Sequence, residues 1–202
     1  MAAVVIASKN KNKVREIKQL LSGEALEVLS LEDFSGVPDV VEDGNTFADN
    51  ALKKARTIAR FTGLTALADD SGLEVDYLKG QPGVYSARFA GISASDGENN
   101  AKLLKLMEGV PREQRTARFR CSIALVSRFG LTECIDGTCE GLVLTEEKGT
   151  GGFGYDPLFL VPDLELTFAE LPDGDKNRIS HRGKALRAAL PVIQRWLDAG
   201  QI

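Results

Sequence analysis

Histidine is nearly absent from this chain: His181 is the only one in 202 residues. The three cysteines (Cys121, Cys134, Cys139) show no paired metal-binding spacing, so the composition argues against a zinc site. Their odd number and scatter read as reduced thiols, which suits a cytoplasmic protein. No apolar run approaches the ~20 residues of a membrane-crossing helix. The opening MAAVVIASKN lacks the basic segment and long apolar core of a secretory signal. A membrane partner is therefore not expected. Positive charge is not in surplus either. The net charge of −4 provides no global field for nucleic acid, so any polyanion site must be local. The G-x-x-x-x-G-K-[ST] phosphate loop is missing, and no serine or cysteine nucleophile has an obvious triad. Repeats, low-complexity tracts and interdomain linkers are missing too, so residues 1–202 are expected to form a single domain.

Against these absences stands an ordinary globular composition, 43% hydrophobic and 27% charged. The central stretch is Thr65–Asp76, TALADDSGLEVD. An apolar run ends in Asp69 and Asp70, and an alternating run follows Ser71 and Gly72. The pattern predicts strand, tight turn, strand. If the strand persists through the acids, Leu67 and Asp69 face one way and Ala68 and Asp70 the other. A carboxylate at the end of an apolar strand either caps a turn or is buried with a partner or cation.

Val4–Ala7 predicts a strand that breaks into Ser8, Lys9, Asn10, Lys11, Asn12 and Lys13, followed by a helix with Val14, Ile17, Leu20 and Leu21 on one stripe. That loop is either a solvated basic turn or a helix N-terminus aimed at an anion. A second strand is expected over Ala25–Leu31. Glu42 lies just ahead of a helix with Thr46 as N-cap and Gly63 as terminator. Ser95 to Glu98 forms a capping box, with Leu103, Leu104, Leu106 and Met107 as apolar positions. Arg118–Val126, the turn at Phe129-Gly130 and the run to Leu144 predict a hairpin. Gly149–Pro157 is glycine-dense, with Phe153 and Tyr155 offering flat faces and Asp156 an acceptor. Pro157–Val161 predicts another strand, and Leu186, Leu190, Ile193 and Leu197 mark a last helix.

Glu42, Asp69 and Asp70 with several lysines, and no covalent nucleophile, suit Mg²⁺-assisted attack of water on a phosphoanhydride. The motifs S-x-N-x-x-K, E-x-G-x-T-F-x-x-N-A-x-x-K-A, A-D-D-S-G-L-x-V-D, G-x-Y-S-A-R, G-T-G-G-F-G-Y-D-P and I-S-H-R-G-K-A-L run in one order from Val4 to about Leu190. Together they resemble the inosine triphosphate pyrophosphatase family. The resemblance implies an α/β fold, with a long mixed, curved sheet flanked by helices, in two lobes with the active-site cleft between them. It implies a homodimer that hydrolyses the purine nucleoside triphosphates ITP, dITP and XTP to monophosphate and pyrophosphate with Mg²⁺.

Carried over residue by residue, the resemblance makes Asp70 the catalytic proton acceptor and, with Glu42, a metal ligand. Ser8 to Lys13 contact the triphosphate, and Lys54 lies near the phosphates. Ser71, Phe153, Gly154, Tyr155, Asp156, Lys176, His181 and Arg182 bind substrate. We assign the 6-oxo edge of the base to Arg182 and His181, and stacking to Phe153 or Tyr155. The family loop usually reads [ST]-G-N-x-G-K. Here Lys9 and Asn12 replace both glycines, which predicts strain at Lys9 or a different path. Two other activities fit parts of the pattern: a pyrophosphatase for modified pyrimidine nucleotides, and a nucleotide-binding module without turnover.

Overall fold

The computed structural model describes residues 2–202. Among the described residues, seven strands form one mixed sheet in the order β2-β1-β3-β4-β5-β6-β7. They are β1 (Ala3–Ile6), β2 (Glu27–Ser30), β3 (Thr65–Val75), β4 (Thr116–Val126), β5 (Thr132–Val143), β6 (Phe159–Val161) and β7 (Leu166–Thr167). β1 pairs in parallel with β2 and β3, while β6 pairs antiparallel with β5 and β7. The helices are α1 (Lys11–Leu20), α2 (Phe47–Thr62), α3 (Asp96–Leu106), α4 (Asp173–Ile179) and α5 (His181–Asp198). Among the described residues no helix is long and apolar enough to cross a membrane.

The chain divides into two compact units. The first comprises Met1–Asp70, Cys121–Gly137 and Arg182–Ile202. Its strands are covered on both faces, and their period of two sorts side chains accordingly. Val4, Ile6, Leu67, Ile123 and Leu125 pack with Ile17 and Leu21 of the α1 region and Leu186, Ile193 and Trp196 of α5. Val5, Ala66, Ala68, Ala124 and Val126 pack with Ala51, Ala55 and Ile58 of α2. Both faces of β4 are therefore buried from Cys121 onward. Thr46 caps α2 by accepting from the Asp49 N–H (3.1 Å), and Gly63 ends it at φ 69°.

The second unit comprises Ser71–Arg120 and Thr138–His181. Leu103 and Met107 of the α3 region, Phe159 of β6, Phe168 and Tyr155 form its core. Leu106 is exposed, contrary to its expected place. Arg115 is buried and donates to the carbonyls of Val143 (2.6 Å), Met107 (2.7 Å) and Leu144 (2.6 Å).

The expected turn at Ser71-Gly72 is not there: β3 runs unbroken for 11 residues. Gly72 is required by crowding rather than by a bend. A Cβ on it would lie 2.3 Å from Ser86 Oγ and 2.6 Å from the Gly83 carbonyl oxygen. The segment predicted as a strand over Pro157–Val161 begins as a 3₁₀ turn over Asp156–Leu158 and becomes β6 only at Phe159.

Candidate functional site

Because β3 does not break, its pleat decides where the two acids point. Asp69 follows Leu67 to the α1 and α5 side, and Asp70 follows Ala68 to the α2 side. Their partners agree. Lys13 Nζ lies 3.0 Å from Asp69 Oδ2, and Arg182 donates to the same oxygen through Nε (3.2 Å) and Nη2 (3.0 Å). Arg182 Nη1 donates to Glu16 of α1. Burial pushes the Asp69 carboxyl up, but Lys13, Arg182 and Lys54 outweigh it and hold it well below the usual carboxylate range. Arg182 is only 2% exposed. This chain of charges lies on the face that α1 and α5 cover.

On the other face, Asn50 of α2 donates through Nδ2 to Asp70 Oδ2 at 3.0 Å. Lys54, one turn further along the same helix, donates to Glu42 Oε1 at 2.7 Å and to Asp70 Oδ1 at 3.4 Å. Glu42 and Asp70, 28 positions apart in the sequence, thus share one ammonium. Burial raises the Asp70 carboxyl above its ordinary range against the lowering effect of Lys54 and Lys13. Burial alone would pull Lys54 down; Asp70, Asp69 and Glu42 reverse that and hold it above an ordinary lysine. The lysine expected near phosphates is thus placed between the two acids.

The N-terminal loop takes the path its substitutions require. Asn10 caps α1, its side chain accepting from the N–H groups of Asn12 (3.0 Å) and Lys13 (3.2 Å). Neither Lys9 nor Asn12 has a positive φ, so the expected strain is not found. Ser8 Oγ accepts from the Asn10 N–H at 3.2 Å. The lysines divide: Lys13 turns inward to Asp69, while Lys9 pairs with Asp39 and Lys11 with Glu32 (3.4 Å), both exposed. Ser8, Lys9 and Lys11 border a cavity of about 640 Å³ between α1 and the segment from Ser30 to Val37.

In the second unit, Asp156 Oδ2 accepts from the Phe153 N–H (2.9 Å) and from buried Lys176 (2.7 Å). The Lys176 ammonium lies 4.8 Å from the centre of the Phe153 ring. A Cβ on Gly152 would reach within 2.1 Å of Asp156 Oδ2, so this glycine lets the loop close on the carboxylate. Asp96 accepts from the Gly154 N–H at 2.7 Å. Tyr155 is buried, and its hydroxyl donates to the Ser86 carbonyl at 2.9 Å. His181 is buried and stacks on Phe119, with ring centres 4.7 Å apart. Ser71 is a partly exposed residue of β3 directly after Asp70.

Two participants are given no role in the sequence analysis, Glu16 and Asn50, although Asn50 is the asparagine of the N-A-x-x-K-A motif. Asn50 had a usable signal, because it lies four residues before Lys54 on one helix face.

A family model described as the Ham1 family matches residues 4–192. The dITP/XTP pyrophosphatase of Desulforamulus reducens is 59% identical over 192 residues, covering 95% of this chain and 96% of that protein. The protein of the same description from Geobacter sulfurreducens is 57% identical, covering 92% and 94%. A solved HAM1 protein from Coxiella burnetii superposes with a TM-score of 0.88 at 43% identity, covering 96% of this chain and all of that one. On the extent of these matches, the chain belongs to the Ham1 family.

Proposed function

We propose that this protein hydrolyses ITP, dITP and XTP to the nucleoside monophosphate and pyrophosphate. The observation that carries the reading is the meeting of Glu42 and Asp70 on one cationic group. The names of its relatives, dITP/XTP pyrophosphatase, support the same activity. The donor set fits Mg²⁺, which takes one or two carboxylates together with substrate phosphates rather than an all-protein cage. Among the described residues no group of three or more His, Cys, Asp or Glu side chains is placed to hold a metal alone. Glu42 and Asp70 would hold the ion, which when bound supplies charge neutralisation at the phosphate oxygens. Asp70 accepts the proton of the attacking water, and its raised proton affinity suits that task. Water adds to the α-phosphorus, the α–β phosphoanhydride bond breaks, and pyrophosphate leaves. Lys13 and Lys54 neutralise the charge that spreads over the phosphate oxygens.

For the base, Phe153 is the stacking face, since the phenol of Tyr155 is held inside by Ser86. Asp156 and Lys176 set the loop that carries it. His181 and Arg182 read the 6-oxo edge, Arg182 in addition to its bonds with Asp69 and Glu16, as a guanidinium presents five donors. The homodimer rests on the family resemblance and the cytoplasmic location on the reading of the cysteines as reduced thiols, and size-exclusion chromatography tests the first.

The deciding assay follows pyrophosphate and nucleotide products from ITP, XTP, ATP, GTP, dUTP and dTTP with Mg²⁺. ITP and XTP are expected to yield monophosphate and pyrophosphate at least about a hundredfold more efficiently than ATP. Preference for dUTP or dTTP would transfer the protein to pyrimidine nucleotides. Binding of ITP without Mg²⁺-dependent product would make it a sensor. The two aromatics separate in the same assay. Phe153→Ala should raise KM for ITP roughly tenfold to a hundredfold with kcat little changed. Tyr155→Phe should cost about 1 kcal/mol of stability and leave KM alone. A KM rise from Tyr155→Phe and none from Phe153→Ala would reverse the assignment.

A further inference from the structure

Glu42 is carried by the chain ahead of α2, whereas Asp70 belongs to a buried strand, and one side chain touches both regions. The Asn50 Oδ1 accepts from the Gly44 N–H at 2.8 Å, and its Nδ2 donates to Asp70 Oδ2 at 3.0 Å. The amide orientation is dictated by its partners. An N–H can only donate and a carboxylate oxygen accepts, so a single rotamer satisfies both. Asn50 is 1% exposed, which leaves no solvent to replace either bond. Gly44 closes tightly on it: a Cβ there would lie 2.7 Å from Asn50 Oδ1 and 2.7 Å from Asp49 Cβ. Aspartate could accept from Gly44 but could not donate to Asp70, and alanine could do neither.

We propose that Asn50 is a positioning residue that locks the Glu42-bearing loop to Asp70, so that the two acids are presented together to the metal. The inference rests on the reading of Glu42 and Asp70 given above. It predicts that perturbing the amide from either end weakens metal capture before it disturbs the fold.

The test uses Mn²⁺ as the probe, with a non-hydrolysable ITP analogue, and follows free Mn²⁺ by electron paramagnetic resonance. Asn50→Ala is expected to weaken Mn²⁺ binding about tenfold to a hundredfold and to lower kcat by a similar factor. Gly44→Ala, which pushes on the amide from the loop side, should do the same in milder form. Asn50→Asp should lower kcat at least as far as Asn50→Ala, because it sets a carboxylate against Asp70. If Asn50→Ala does not fold, Gly44→Ala decides. Folded variants with unchanged Mn²⁺ binding and unchanged kcat would overturn the inference. Asp70→Asn run in parallel separates the failures. If that variant still releases pyrophosphate, the functional reading falls. If it is inactive while the Asn50 and Gly44 variants behave as wild type, only the role of Asn50 falls.

Discussion

Asp70→Asn is expected to lower kcat for ITP hydrolysis about a thousandfold or more while leaving the melting temperature unchanged or raised. The catalytic loss follows from removing the proton acceptor and half of the carboxylate pair. The stability outcome follows from burial. A carboxyl whose proton affinity is raised by folding is disfavoured in its charged form at neutral pH. The amide removes that charge and still accepts from Asn50, and Lys54 keeps Glu42. Such a trade of stability for function is common at reacting groups. Pyrophosphate release and a thermal melt on one preparation check both halves. Retained turnover, or a melting temperature several degrees lower, would contradict this account.

The same substitution one residue earlier should do the opposite. Asp69→Asn is expected to destabilise the protein by about 3 kcal/mol or more, because it leaves the buried charges of Lys13 and Arg182 short of their counter-charge. For a chain of this length that lowers the melting temperature by roughly 6 °C or more. Its pH dependence has a definite sign. The folded-state affinity of Asp69 for a proton lies below the unfolded one, so its contribution is present above the ordinary aspartate range, near pH ~4. It is lost as pH falls through the lower folded value. Denaturant melts between pH 7 and pH 3 should therefore show a flatter acid dependence for Asp69→Asn than for the parent. An equal slope would sink the charge-pair explanation.

Much of this arrangement is legible in the sequence because it depends on periodicity and caps. The alternation through Leu67, Ala68, Asp69 and Asp70 predicts opposite faces, and the coordinates place them so. Thr46 and Gly63 mark the ends of α2 by their side-chain chemistry and backbone freedom. Gly72 misleads, since a glycine beside a serine signals a turn, and only the approach of Ser86 from 14 positions downstream explains it. β6 and β7 have three and two residues, too few to show a period. α4 is likewise short, and α5 begins at His181, within a stretch that reads as loop. The strain expected at Lys9 and Asn12 dissolves because Asn10 closes the first turn of α1 with its own amide. Asn50 shares a face of the first turns of α2 with Lys54, but its purpose shows only when Gly44 and Asp70 come into view.

Only the thickness of a single backbone separates Asp69 from Asp70, so Lys54 still acts on Asp69 and Lys13 on Asp70, and that nearness has an engineering consequence. Rebuilding the α2 side to accept another ion or another leaving group would therefore have to keep the Lys54 charge, which also steadies Asp69 across the strand. Shifting β3 by one residue would turn both acids to the opposite faces yet seat only one of them in the other's place, because its neighbour moves a residue further along.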